Sequence, residues 1–299
     1  MIMKIILGLL ILSIVISPIA FAQQDTKFGQ NAVQRVSITI SDNGDAHVTH
    51  QVKTDIQNTQ YVPYIASNLS NLNVTDSEGA SVQYAQALGK TPGIVVFPTK
   101  TDTIIKYDIS GAVKLKDGLW TWDYNYLEDS VFYLPENVKL FYANTHLVQL
   151  KEKKGLNCHG CQIKLEYELK PTFVSQKIKW EDKSFDIQTL TLVDMQKIKL
   201  DQRSKSLSFD VTQPNQHITL IIPKELLGNP YDVYLNENLI KKQENVDVKD
   251  NVWLHIIPSQ KGTIRIQGVT VVPEFPLTSV LVLSASMITV LYLTRLSHR

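Results

Sequence analysis

Apolar and polar residues alternate with a period of two over many short stretches of this chain, and that spacing predicts strands. Val36, Ile38 and Ile40 alternate with Ser37 and Thr39. Asp42-Asn43-Gly44-Asp45 follows, and Asn-Gly predicts a type I′ hairpin turn, because both central residues then need φ > 0. Ala46, Val48, His50 and Val52 fall on one face of the return strand. Further strands are predicted over Ile94 to Phe97, Thr103 to Ile109, Trp120 to Tyr126, Val131 to Leu134 and Gln162 to Leu169. Beyond Pro171 they continue over Phe185 to Leu192, Leu207 to Val211, His217 to Ile222, Trp253 to Ile257 and Thr263 to Val271. Tyr231 to Leu235 and Leu239 to Lys241 read as a hairpin about Asn236-Glu237-Asn238, and Pro223 to Gly228 as a short helical turn.

The two ends break this pattern. Residues 277–294 are apolar, with a few Ser and Thr and no charge between Glu274 and Arg295. About twenty such residues cross a bilayer core of ~30 Å. Arg295 and Arg299, in a basic tail of residues 295–299, put that tail in the cytoplasm and the body outside. Residues 1–22 read as a signal peptide: Lys4, the apolar Ile5 to Ile16, then Ala20-Phe21-Ala22 as a small-x-small cleavage site. A retained N-terminal anchor is the alternative.

Charge is balanced, 30 basic against 29 acidic residues over 299. That speaks against a polyanion binder, so no nucleic-acid partner is expected. The length between the apolar ends suits two domains, residues 26–170 and 171–270. Asn68-Leu-Ser70 and Asn73-Val-Thr75 are sequons, open to glycosylation on an exported chain.

Candidate chemistry is sparse. Trp120, Trp122, Tyr124 and Tyr126 share one face of their predicted strand. They suit a stacking platform for a surface glycan or protein, or the filling of a core. The two cysteines form Cys158-His159-Gly160-Cys161. The residues after Cys161 alternate as a strand, so the helix N-terminus of a thioredoxin-type pair is missing. A zinc site lacks two more ligands, and haem attachment lacks a His after the second Cys. A structural disulfide fits a four-residue turn, with a copper or redox role as the alternative. His47 and His50 fall on opposite strand faces and cannot pair on a metal. Asp123, Glu128 and Asp129 read as solvated. No catalytic motif is present, and neither cofactor nor metal is expected.

Three stretches carry two resemblances. Pro273-Glu274-Phe275-Pro276 (within residues 271–276), followed by an apolar span and a basic end, resembles the PEF-type C-terminal sorting signals of archaeal surface proteins. Pro276 stands where many members have Gly. The resemblance implies a membrane-embedded, archaeosortase-like enzyme that cleaves the tail; a retained anchor is the other reading. Ile222 to Val233 and Ile264 to Val272 resemble the membrane-proximal β-sandwich of many archaeal surface proteins, which implies an immunoglobulin-like stalk or binding module without catalytic residues. The expected fold is therefore all-β: two immunoglobulin-like β-sandwich domains between a signal helix and a transmembrane helix. The expected role is that of a non-catalytic, bilayer-attached surface protein with a structural, adhesive or binding function. An exported redox or metal protein centred on the Cys pair, and an accessory subunit of a membrane complex, are the alternatives.

Overall fold

Alternation along Gln34–Ile40 and Ala46–Val52 buries one side of each strand, and the two pair antiparallel from Gln34↔Val52 to Ile40↔Ala46. The turn between them differs from the expected type I′. Gly44 has φ of 84°, but Asn43 is not in the left-handed region. The loop is longer, closed by Ser41 N–H to the Asp45 carbonyl at 2.9 Å and Gly44 N–H to that of Ser41 at 3.0 Å. The Asn43 side chain accepts from Ser41 Oγ at 2.6 Å, so local side-chain bonds hold the wider turn. A Cβ on Gly44 would sit 2.5 Å from the Val113 carbonyl oxygen. Gly44→Ala is expected to cost about 2 kcal/mol in urea unfolding; an unshifted midpoint would mean the loop is not held against Val113.

The computed structural model describes residues 29–151, 155–160, 162–272 and 282–290. The expected signal segment with Ala20 and Ala22, Cys161, the Pro273 to Pro276 motif, the basic tail and the rest of the apolar span lie outside them. Apart from the helix at residues 282–290, the described chain is all-β.

Its main sheets form successive layers. A six-stranded sheet runs Leu156–Cys158, Ser130–Tyr133, Gln34–Ile40, Ala46–Val52, Thr103–Ile109, Leu69–Asp76. Ser130–Tyr133 lies parallel to Gln34–Ile40. A four-stranded sheet centred on Gln60–Pro63 and Gly93–Val96 joins it around a first core, with Val36, Ile38, Tyr107 and Ile94 fully buried. A five-stranded sheet closes that core: His146–Gln149, Leu140–Ala143, Leu165–Tyr167, Leu119–Trp122, Lys114–Lys116.

Beyond it lies a second lobe. One sheet runs Val174–Trp180, Lys183–Thr191, Ile218–Pro223, Asn251–Ile256, Lys242–Val246. The other runs Lys199–Asp201, Ser206–Val211, Gly262–Gln267, Asp232–Leu235, Asn238–Leu239. Leu220, Leu254, Leu207 and Ile264 from both meet in a second core, the arrangement that alternating strands of two facing sheets require. Asn236 and Glu237 both have φ > 0, so the hairpin there is the two-residue turn. Pro223 to Gly228 forms a hydrogen-bonded turn and a short strand at Leu227–Gly228 rather than a helix.

One further expectation needs correction. The strand expected from Trp120 to Tyr126 stops at Trp122, and residues 123–127 are irregular. Among the described residues, no helix is long and apolar enough to cross a membrane. The nine residues 282–290 of the expected span are helical, every side chain exposed.

Candidate functional site

The central strands of the sheet that closes the first core are buried on both faces, while its edge strand Lys114–Lys116 is exposed. Along Leu165–Tyr167, Leu165 and Tyr167 pack into that core, and Glu166 projects from the other face. Phe141 and Tyr142 divide in the same way. The neighbouring sheet of the second lobe repeats the arrangement. Leu254 and Ile256 enter the second core, while Trp253 and His255 face the first lobe. Period-two strands thus carry two buried faces each, and the joint between the lobes is made from their second faces.

Stacked rings fill this joint. The Tyr142 ring lies 3.8 Å from His217 and 5.0 Å from His255 between centroids, both stacked. His255 is only 3% exposed. Its Nδ1 meets the Thr219 hydroxyl at 3.0 Å, and its Nε2 meets Nδ1 of His217 at 3.2 Å. Nε2 of His217 lies 3.5 Å from the Glu166 carboxylate, whose other oxygen takes Lys164 Nζ at 2.7 Å. One proton per link satisfies this chain when both imidazoles are neutral: Thr219 donates to His255, His255 to His217, and His217 to Glu166. Burial, then the nearby His217, lowers His255 from 6.5 to about 4. Burial pushes Glu166 up, but its hydrogen bonds with His217 and Lys164 outweigh this and leave it lowered. Burial also raises the Tyr142 phenol to about 12.

Two further contacts lock the joint. The Gln243 side-chain amide accepts from Leu147 N–H at 2.7 Å and donates to its carbonyl at 2.8 Å. In this way it pairs with edge strand His146–Gln149 as a neighbouring strand would. Phe173, in the connection between the lobes, packs edge-on against Trp253. Beside the joint an open cleft of about 490 Å³ is lined by Thr145, His146, Lys241, Gln243 and His255.

A second buried histidine sits in the first core. His50 is 0% exposed, bonded at Nδ1 to Gln34 at 2.7 Å and at Nε2 to the Tyr107 hydroxyl at 3.0 Å. Burial lowers it from 6.5 to about 3. His47, on the opposite face, pairs with Asp108 at 2.7 Å.

The other expected residues are dispersed. Trp122 is 1% exposed against Phe132 and Tyr124. Trp120, Tyr124 and Tyr126 pack against the same core, so these four rings present core-filling faces. Cys158 is buried and is not a free thiol. Asn68 and Asn73 are both exposed. Asp123 and Asp129 are at the surface with Lys116 and His159. Among the described residues, no group of three or more His, Cys, Asp or Glu could hold a metal.

The joint escapes sequence reasoning because its members are scattered between Tyr142 and His255. Two signals were available: His255 interrupts the apolar Trp253 to Ile257, and Glu166 alternates with Leu165 and Tyr167.

No family model matches the chain, and no curated protein does either. Among solved structures, an aminopeptidase N family protein from Idiomarina loihiensis aligns with a TM-score of 0.34 and 9% identity. The alignment covers 52% of this chain and 32% of that one. A likeness at that level carries no argument about this chain.

Proposed function

We propose that this chain is a non-catalytic, membrane-attached surface protein: two exported β-sandwich lobes of immunoglobulin-like kind, carried on a C-terminal apolar helix. The observation that carries this reading is the helix at 282–290. Its Val282, Leu283, Met287 and Ile288 are exposed, with no protein surface over them among the described residues. Its hydroxyls turn inward: Ser286 Oγ donates to the Val282 carbonyl at 2.7 Å and Thr289 Oγ1 to that of Ala285 at 2.8 Å. A helix in lipid has to satisfy its polar groups in this way, because no water is present to do so.

The histidine joint then holds the outer lobe at a fixed angle over the membrane-proximal one, as suits a stalk or a binding module presented from the cell surface. A Cys158–Cys161 bridge in the outer lobe suits an oxidising exterior. The tail either stays as this anchor or is cut by an archaeosortase-like enzyme at the Pro273 to Pro276 motif.

The test is expression of the full chain in an archaeal host, with protease added to intact cells and intact-mass analysis of the membrane fraction. The expected result is a body cut from outside and a mature chain beginning at Gln23. A body protected in intact cells, or recovered in the soluble fraction with residues 1–22 attached, would overturn the proposal.

A further inference from the structure

We propose that Asn68 and Asn73 carry N-linked glycans that cover the open stretch of edge strand Leu69–Asp76, an inference that rests on the exported reading above. The chain's two sequons lie five residues apart and bracket one edge of the six-stranded sheet. Strand Leu69–Asp76 pairs with Thr103–Ile109 on one side only.

The second half of its free side is already covered. Thr75 bridges Ser81, Asp76 N–H donates to the Ala80 carbonyl at 2.8 Å, and Val82 N–H to that of Val74 at 3.4 Å. The first half has no such cover among the described residues, and its register shifts between Ser70 and Asn73. An open strand edge is a template for pairing with another chain, and a bulge alone shields it only in part.

The side chains are placed for modification. Asn73 pairs with exposed Lys106, and its neighbour Val74 points into the core, so Asn73 faces outward. Asn68 and Ser70 are exposed too. No hydrogen bond ties the amide of Asn68 or Asn73 to a described residue. Asn71 between them is not in a sequon, and its amide is held by Asp108 at 2.7 Å. The two amides that belong to sequons are therefore the free ones.

The reaction is group transfer from an oligosaccharide activated as a lipid phosphate ester. The asparagine Nδ2 bonds to the anomeric carbon, the anomeric C–O bond breaks, the lipid phosphate leaves with the electron pair, and one amide proton goes to a base of the transferase.

The test uses full-length protein from the membrane fraction of an archaeal host that makes N-glycans, with the body first shown to be reachable by external protease. The tryptic peptide of residues 54–90 is mapped by mass spectrometry. The expected result is a glycan mass on Asn68 and on Asn73, lost singly in Ser70→Ala and Thr75→Ala. Unmodified asparagines on a reachable body overturn this inference and leave the exported reading standing; an unreachable body overturns both. The double variant Asn68→Gln/Asn73→Gln, cut from its anchor, is expected to shift from monomer to larger species in sedimentation. Sedimentation unchanged from the glycosylated protein would overturn the covering role.

Discussion

Acidification from pH 6.5 to 4 is expected to remove on the order of 5 kcal/mol from the stability of the folded chain, at about 1.4 kcal/mol per pH unit for each buried histidine. His50 is lowered to about 3 and His255 to about 4, both from 6.5. An unfolded chain protonates both imidazoles near pH 6.5, while the folded chain stays neutral at both down to about pH 4. The unfolded state binds more protons across that window, so stability falls as pH falls. Glu166, Glu244 and Asp247 are held below their ordinary values, so their contribution is present above the usual carboxylate range and lost only beneath it. Glu168, raised by burial, gains its proton earlier and opposes the trend by one group. Urea unfolding at half-unit pH steps measures the effect. His255→Gln should roughly halve the slope between pH 6.5 and 5; a flat profile there in the parent protein would sink the assignment of neutral buried imidazoles.

Tyr142→Ala is expected to cost about 3–5 kcal/mol, the range for losing a large buried ring. Tyr142 is 4% exposed, and the space it fills lies between the lobes rather than within either core. Its removal strips one face from both imidazoles and opens the joint, so unfolding should change from one transition to two. Tyr142→Phe keeps the stacked ring and loses only its hydroxyl, for about 1 kcal/mol. Hydrogen exchange reads the same loss locally, as faster exchange at Leu147 and Gln243 while Val36 and Leu220 stay protected. A single transition displaced by less than ~1 kcal/mol would show that the lobes are held together elsewhere.

How much of this was legible in the sequence follows from how local each feature is. The Gln34–Ile40 and Ala46–Val52 hairpin has one apolar face and one turn signal, so neighbouring residues define it. Thr103–Ile109 and Ser206–Val211 are readable for the same reason. Strands such as Val174–Trp180 and Lys242–Val246 lie at sheet edges, mostly exposed, and carry no apolar stripe to read. The hairpin of Leu140–Ala143 and His146–Gln149 had a usable signal, because Asn144 and Thr145 separate two apolar runs and both have φ > 0. Alternating aromatics misled over Tyr124 and Tyr126, which pack on the core from an irregular segment. The joint is the least local feature. Glu166 and His255 break apolar stretches, but they look like polar faces of ordinary strands, and a polar residue there does not say what lies over that face.

The parallel pairing of Ser130–Tyr133 against Gln34–Ile40 sets a timetable for synthesis. The strand at Gln34–Ile40 waits for a partner made about ninety residues later, roughly 5–20 s at ordinary translation rates. Through that interval its flank is bare, and the hairpin it forms with Ala46–Val52 is a sticky intermediate. A chain built this way gains from anything that keeps the flank of Gln34–Ile40 covered until Tyr133 has been made.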